Sequence, residues 1–183
     1  MTKPLEKIMQ ILDHGSKKEK IDMLEYLSNV NKPEIINKII SKLDDPDIEI
    51  RGEAFSTIVL NNNKISHFLI NSLKSESKNI RGFSALILAN RNDFDSISSI
   101  IDLTKDSSSM VRSCALGALG YLKANQAWKA IHDCLHDSNL EVKKSALKAA
   151  IDIGYKISEK EISTITKEGD EELASLLVQA TNI

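Results

Sequence analysis

A chain of 183 residues with 42% apolar side chains can fill a substantial core, which excludes a disordered segment. Its formal charge of −2 gives no global pull towards nucleic acid or anionic lipid. No run approaches the ~18 consecutive apolar residues of a membrane span, the first residues lack a signal peptide's apolar segment, and Cys114 and Cys134 sit in helical patterns without a disulfide framework, so a cytoplasmic protein with two reduced structural thiols is expected.

In chain order, Pro4 suits the first turn of a helix, where its missing N–H would be unpaired anyway, and Leu5, Ile8 and Leu12 share one face. Gly15 ends that helix. Ser16 and Glu19, three residues apart, form a capping box that opens a second helix bearing Met23, Leu24 and Leu27. The next unit runs from Pro33 through Ile35, Ile36, Ile39, Ile40 and Leu43 to a turn at Asp44-Asp45-Pro46-Asp47, and its second helix carries Ile50, Ala54 and Ile58. Asn61-Asn62-Asn63, poor helix formers, read as a loop. A third unit pairs Leu69 and Leu73 with a helix from Ile80 to about Asn90. A fourth pairs Ile97, Ile100 and Ile101 with Met110 to Leu122, and a fifth pairs Trp128, Ile131 and Leu135 with Val142 to about Ile153. The last, capped by Ser158 with Glu161, carries Ile162, Ile165, Leu173 and Leu177. It reads as a truncated terminal cap, or as one completed by a partner or a second copy.

The second helices share a period. Ile50-Arg51, Ile80-Arg81, Val111-Arg112 and Val142-Lys143 follow one another at intervals of 30, 31 and 31 residues, each with a small residue three places after the basic one: Ala54, Ser84, Ala115, Ala146. Helical units repeating at that length form a stacked solenoid, because no unit buries its own apolar face. The expected organisation is one domain over 1–183 with units at about 4–30, 33–62, 64–91, 94–124, 126–157 and 158–183. In the first unit Glu19 replaces the branched apolar residue, as the polar outer side of a terminal cap requires.

Each unit also reads as an Asp in the turn, a Val or Ile five residues on, then Arg or Lys, then a small residue. The sets are Asp45-Ile50-Arg51-Ala54, Asp106-Val111-Arg112-Ala115 and Asp137-Val142-Lys143-Ala146, with Ser75-Ile80-Arg81-Ser84 departing at the acid. This pattern resembles HEAT repeats, most closely the short HEAT-like repeats named after phycobilisome lyases. The resemblance implies an all-α, right-handed α-α superhelix of about six helix pairs, with the second helices lining its concave side. It also implies a hydrogen-bonded ladder of turn Asp and following basic residue between successive units, in which Ser75 should leave a gap. Physics supports the ladder independently: a carboxylate beside helix N-terminal N–H groups is favoured by the dipole and can accept from a guanidinium. The small residues let paired helices approach to the lower end of the ~8–10 Å range.

Candidate chemistry is sparse. His132 and His136 lie four apart with Asp133 and Asp137 beside them, but no second His or Cys cluster completes a tetrahedral set, so no metal site is expected. No nucleophile elbow, P-loop or dinucleotide fingerprint is present, and neither catalysis nor a cofactor is expected. Gly117 and Gly120, inside a helical pattern, report close packing or a smooth surface. At 100° per residue, positions two, six and nine after each branched residue point away from the core face. They are Gly52, Ser56, Val59; Gly82, Leu86, Ala89; Ser113, Gly117, Gly120; and Lys144, Lys148, Ile151. A strip of this kind, nearly uncharged across three units and basic in the fourth, suits a protein or peptide partner, while crowding inside a curved stack also favours small residues. The expectation is a non-enzymatic protein-interaction module whose partner-binding residues are Glu53, Ser56, Val59, Leu86, Ala89, Gly117, Lys144 and Lys148. One alternative is a pigment or cofactor chaperone or lyase, as the resemblance suggests. Another is nucleic-acid binding through Lys143, Lys144, Lys148 and Lys156, against which stand only 4% aromatic residues.

Overall fold

The computed structural model describes residues 3–158 and, beyond them, Leu173, Ser175, Leu176 and Val178. Apart from these positions, the sixth pair expected over 158–183, with Glu161, Ile162, Ile165 and Leu177, lies outside the described residues. Among the described residues the fold is all helical, with ten α-helices and no strand. The run of pairs expected over 1–183 is divided by its contacts into two compact units, Met1–Arg91 and Asn92–Ile183.

In the first unit, α1 (Lys3–His14), α3 (Pro33–Ser41) and α5 (Ser66–Ser72) pack in succession as first helices. Their second helices α2 (Lys17–Tyr26), α4 (Ile48–Leu60) and α6 (Lys78–Asn90) pack alongside in the same order. Local chemistry sets the starts. Glu19 accepts from the Ser16 backbone N–H at 2.8 Å and Ser16 Oγ accepts from the Glu19 N–H at 3.4 Å, completing the expected capping box. Pro33 stands in the first turn of α3. Asp47 and Ser77 cap α4 and α6, accepting from the Glu49 and Ile80 N–H groups at 2.8 and 3.4 Å. The core holds Leu12, Leu24, Ile36, Ile39, Leu43, Leu69 and Leu88, all without exposed surface. Burying each such side chain contributes about 1.5–3 kcal/mol. Ala54 and Ser84, the small residues of the repeat, are equally buried between paired helices.

The loop at Asn61-Asn62-Asn63 forms as expected, but it is tied down. Asn61, only 2% exposed, donates from Nδ2 to the Val30 carbonyl at 2.7 Å, and Asn63 donates to the Asn29 carbonyl at 3.0 Å. Arg91 donates to the carbonyls of Ile58, Asn61 and Asn63. These side chains supply partners for carbonyls at and just beyond the ends of α2 and α4.

In the second unit, short 3-10 turns at Phe94–Ser96 and Leu103–Lys105 flank α7 (Ile97–Asp102), which packs on α8 (Ser109–Tyr121). Another, Asn125–Ala127, leads into α9 (Trp128–Cys134), which packs on α10 (Leu140–Asp152). The core register is the one the period demands: Val111, Ala115 and Leu119 of α8 and Val142, Ala146 and Ala150 of α10 are all fully buried. α8 and α10 approach closely at Gly120, where a Cβ would lie 3.0 Å from Ala149 Cα. Left-handed residues follow α6, α8 and α10 at Asn92, Lys123 and Gly154, again 31 residues apart.

Candidate functional site

The most apolar hollow described lies on the second helices of the first unit, between α4 and α6. It encloses about 240 Å³ and is lined by Ile48, Arg51, Gly52 and Phe55 from α4 and by Phe83 and Leu86 from α6. Phe55 and Phe83 meet edge to face, ring centroids 6.5 Å apart and planes at 86°. Ile48 is 71% exposed at the rim, an unusual placement for a large aliphatic side chain. Gly52 lines the same hollow, and a Cβ added there would meet nothing within 4 Å. Glycine inside a helix costs about 1 kcal/mol relative to alanine. Packing does not require it at 52, so its effect is to keep the hollow open.

Arg51 stands at the hollow's charged edge. Its Nη1 donates to the carbonyls of Asp45 and Pro46, at 2.8 and 3.1 Å. The same contacts recur in the second unit, where Arg112 Nη1 donates to the carbonyls of Asp106 and Ser107 at 2.9 and 3.3 Å. Arg112 goes further: Nε and Nη2 each donate to one oxygen of Asp137, both at 2.8 Å. This bidentate, largely buried pair is the expected ladder rung, and the hydrogen bonds from Arg112 hold the Asp137 carboxyl below the usual carboxylate range. A looser rung joins Lys20 to Asp45 at 3.7 Å, with Lys42 also 3.6 Å from the same carboxylate. Lys20 holds the basic position of the first unit, 31 residues before Arg51, a signal hidden by the acidic Glu19 beside it.

The gap expected at Ser75 is there. Ser75 Oγ accepts from the Ser77 N–H at 3.2 Å, as the Asp45 carboxylate does from the Asp47 N–H at 3.1 Å and Asp137 from the Asn139 N–H at 2.8 Å. Serine thus keeps the turn-forming half of the aspartate's role and lacks the oxygens that would bridge units. Among the described residues Arg51 forms no ion pair, and its Nε and Nη2 have no partner.

Of the residues expected to meet a partner, Ser56, Gly117 and Lys148 are exposed, and Glu53, Val59 and Leu86 are half-buried. Glu53 also accepts from Thr57 Oγ1 at 3.4 Å. Ala89 and Lys144 are corrections. Ala89 is 1% exposed and Lys144 7%, with Lys144 Nζ 3.4 Å from Glu141, so neither offers a free contact surface. The helical wheel places position nine opposite the core of its own helix, but neighbouring second helices close that end, as Ala149 does against Gly120. The same blindness explains the omission of Ile48, Phe55 and Phe83. They lie on the flanks of their helices, and only the adjacent helix makes a hollow of them.

His132 and His136 do come together, their rings 5.9 Å apart, although α9 ends before His136. Among the described residues no three His, Cys, Asp or Glu side chains converge as metal ligands. Burial pushes both the Cys114 and Cys134 thiols up to about 11, far from reactive thiolates. Among the described residues no helix is long and apolar enough to cross a membrane.

Residues 66–151 match the family model for HEAT repeats. No curated protein matches the chain in sequence. Solved structures match it in fold. An engineered protein aligns at 16% identity and TM-score 0.63, covering 100% of this chain and 98% of its own. A designed armadillo repeat protein in complex with the peptide (KR)4 aligns at 17% identity and TM-score 0.55, covering 96% and 97%. The CpcE–CpcF complex of phycocyanin lyase from Nostoc sp. aligns at 18% identity and TM-score 0.58, covering 97% of this chain and 75% of that one. With the helix pairs, the 31-residue register and the Arg112–Asp137 rung already in place, residues 66–151 carry HEAT repeats and the chain has the all-α solenoid fold of HEAT- and armadillo-like structures.

Proposed function

We propose that the chain is a non-enzymatic interaction module that holds a protein or peptide on the exposed face of its second helices. The observation that carries this reading is the hollow between α4 and α6: large apolar side chains left accessible, with a glycine that packing does not require. Exposed apolar hollows edged by charge are how preformed grooves seat a partner's side chain, and aromatic walls with an Arg are typical of binding hot spots. In the first unit Leu86 and Val59 supply further apolar contact, with Glu53 half-buried and Ser56 exposed; in the second unit, taken by itself, Gly117 and Lys148 are exposed on α8 and α10. That a designed armadillo protein of similar fold is solved with a bound peptide supports the use of this architecture for peptides.

The test is affinity capture from a native lysate, followed by cross-linking of whatever is retained. Wild-type protein is expected to retain partners that cross-link beside α4 and α6, and Leu86→Glu to lose them while keeping its helical circular dichroism. Retention of every partner by Leu86→Glu refutes the reading.

A further inference from the structure

Arg51 is a ladder arginine whose rung is missing. Arg112 shows the complete arrangement: Nη1 fixed on two carbonyls of its own turn, with Nε and Nη2 presented as a fork that closes on both oxygens of Asp137. Arg51 repeats the first half, so its guanidinium is held in the same way by Asp45 and Pro46. The second half is open because Ser75 stands where the acid would be. The nearby Asp45 carboxylate does not substitute for it. It accepts from the Asp47 N–H and lies 3.7 and 3.6 Å from Lys20 and Lys42, and Arg51 meets only its main-chain carbonyl. Arg51 also belongs to the lining of the apolar hollow, beside Gly52, Phe55 and Phe83, so its fork lies next to that apolar surface.

We propose, resting on the reading of this hollow as a binding site, that its occupant is a partner peptide in which an Asp or Glu side chain adjoins a bulky apolar one. The carboxylate takes the place of the missing rung, accepting from Arg51 Nε and Nη2. The apolar side chain enters the hollow over Gly52 and packs against Phe55 and Phe83. Charge complementarity selects the acid, since a planar fork already oriented by two carbonyls loses little entropy in binding a carboxylate bidentately. The walls select its neighbour, because a small hydrated anion would leave the aromatic surface uncovered. The protein therefore recognises a partner by accepting from it the contact that its own repeat omits.

The experiment uses an array of acetylated, amidated nonapeptides pairing Asp or Glu with Phe, Trp, Leu, Ile or Met, in both orders, in a Gly–Ser background. The tightest peptide is then measured by fluorescence anisotropy against the full chain. Wild type is expected to bind an acid–apolar peptide, and its Asn or Gln counterpart about tenfold or more weaker. Arg51→Gln should weaken binding to the same extent. Ser75→Asp should do so while raising the melting temperature, because an internal carboxylate fills the fork and the loss then cannot be ascribed to misfolding. Three outcomes overturn the proposal: no acid–apolar peptide binding above its amide counterpart, binding unchanged by Ser75→Asp, or binding that needs only a free C-terminal carboxylate. Peptides that survive Arg51→Gln and Ser75→Asp but are lost with Leu86→Glu overturn this proposal alone and leave the hollow as a binding site. Capture that is indifferent to Leu86→Glu removes the underlying reading instead.

Discussion

The two units contain the same arginine in the same local setting and use it differently. In the second unit Arg112 closes on Asp137 and joins one helix pair to the next; in the first, Arg51 has an identical hold on its own turn and nothing beyond it. A single change at the acid position, serine in place of aspartate, separates a closed rung from an open guanidinium fork. A repeat protein can therefore acquire a site by leaving out a contact, without distorting the scaffold, because each unit's core is set by residues on another face of the helix.

The comparison can be broken most sharply at the closed rung. Arg112→Leu strands a largely buried carboxylate and should destabilise the second unit by about 2–4 kcal/mol in urea denaturation, whereas Arg51→Leu should cost about 1 kcal/mol, the net worth of its carbonyl contacts. A similar urea effect at both positions would mean that Arg51 has a partner equivalent to Asp137. The same rung sets an acid dependence. The carboxyl of Asp137 lies below its unfolded value, so its contribution is fully present above about pH 4 and fades as pH falls through the folded value. The Arg112→Leu penalty should therefore shrink when melts are repeated at progressively lower pH.

Closing the open seam is the next largest change. Ser75→Asp should stabilise the first unit by about 1 kcal/mol, the scale of a charge-assisted contact at a half-exposed site. It should also bring an acid-sensitive component that wild type lacks there. The smallest effects belong to two helical glycines. Gly52→Ala should stabilise by about 0.5–1 kcal/mol, since the new methyl meets nothing and helix propensity improves. Gly120→Ala should lose about 1 kcal/mol net, because its Cβ presses on Ala149 and overpacking outweighs propensity. Thermal melts of both variants decide whether Gly52 is structurally dispensable.

The repeat made much of this legible in advance. Every fourth position from Val111 and from Val142 is buried as the helical period requires, the capping box at Ser16 forms, and both the Arg112–Asp137 rung and the gap at Ser75 are what the family resemblance implies for these positions. Those features depend on residues within one unit or at one fixed offset. The hollow does not. Phe55 and Phe83 belong to different helices, at different points of the repeat, and become a pair only when α4 and α6 pack. Lys144 misleads for the opposite reason: a lysine at an outward position reads as solvated, yet it is 7% exposed, with its ammonium near Glu141. Helical periodicity gives direction relative to a helix's own core, and a site between helices is set by a second direction that one strand of sequence does not carry.

The only tryptophan in the chain gives this comparison an optical handle. Trp128 stacks on Tyr155, centroids 5.9 Å apart and planes at 17°, with the indole 48% exposed. Its emission therefore reports the second unit alone, whereas far-ultraviolet circular dichroism sums the helices of both. Coincident melts by the two signals would define one cooperative block. A fluorescence transition displaced from the dichroic one would resolve two, and assign to each its own share of every substitution above.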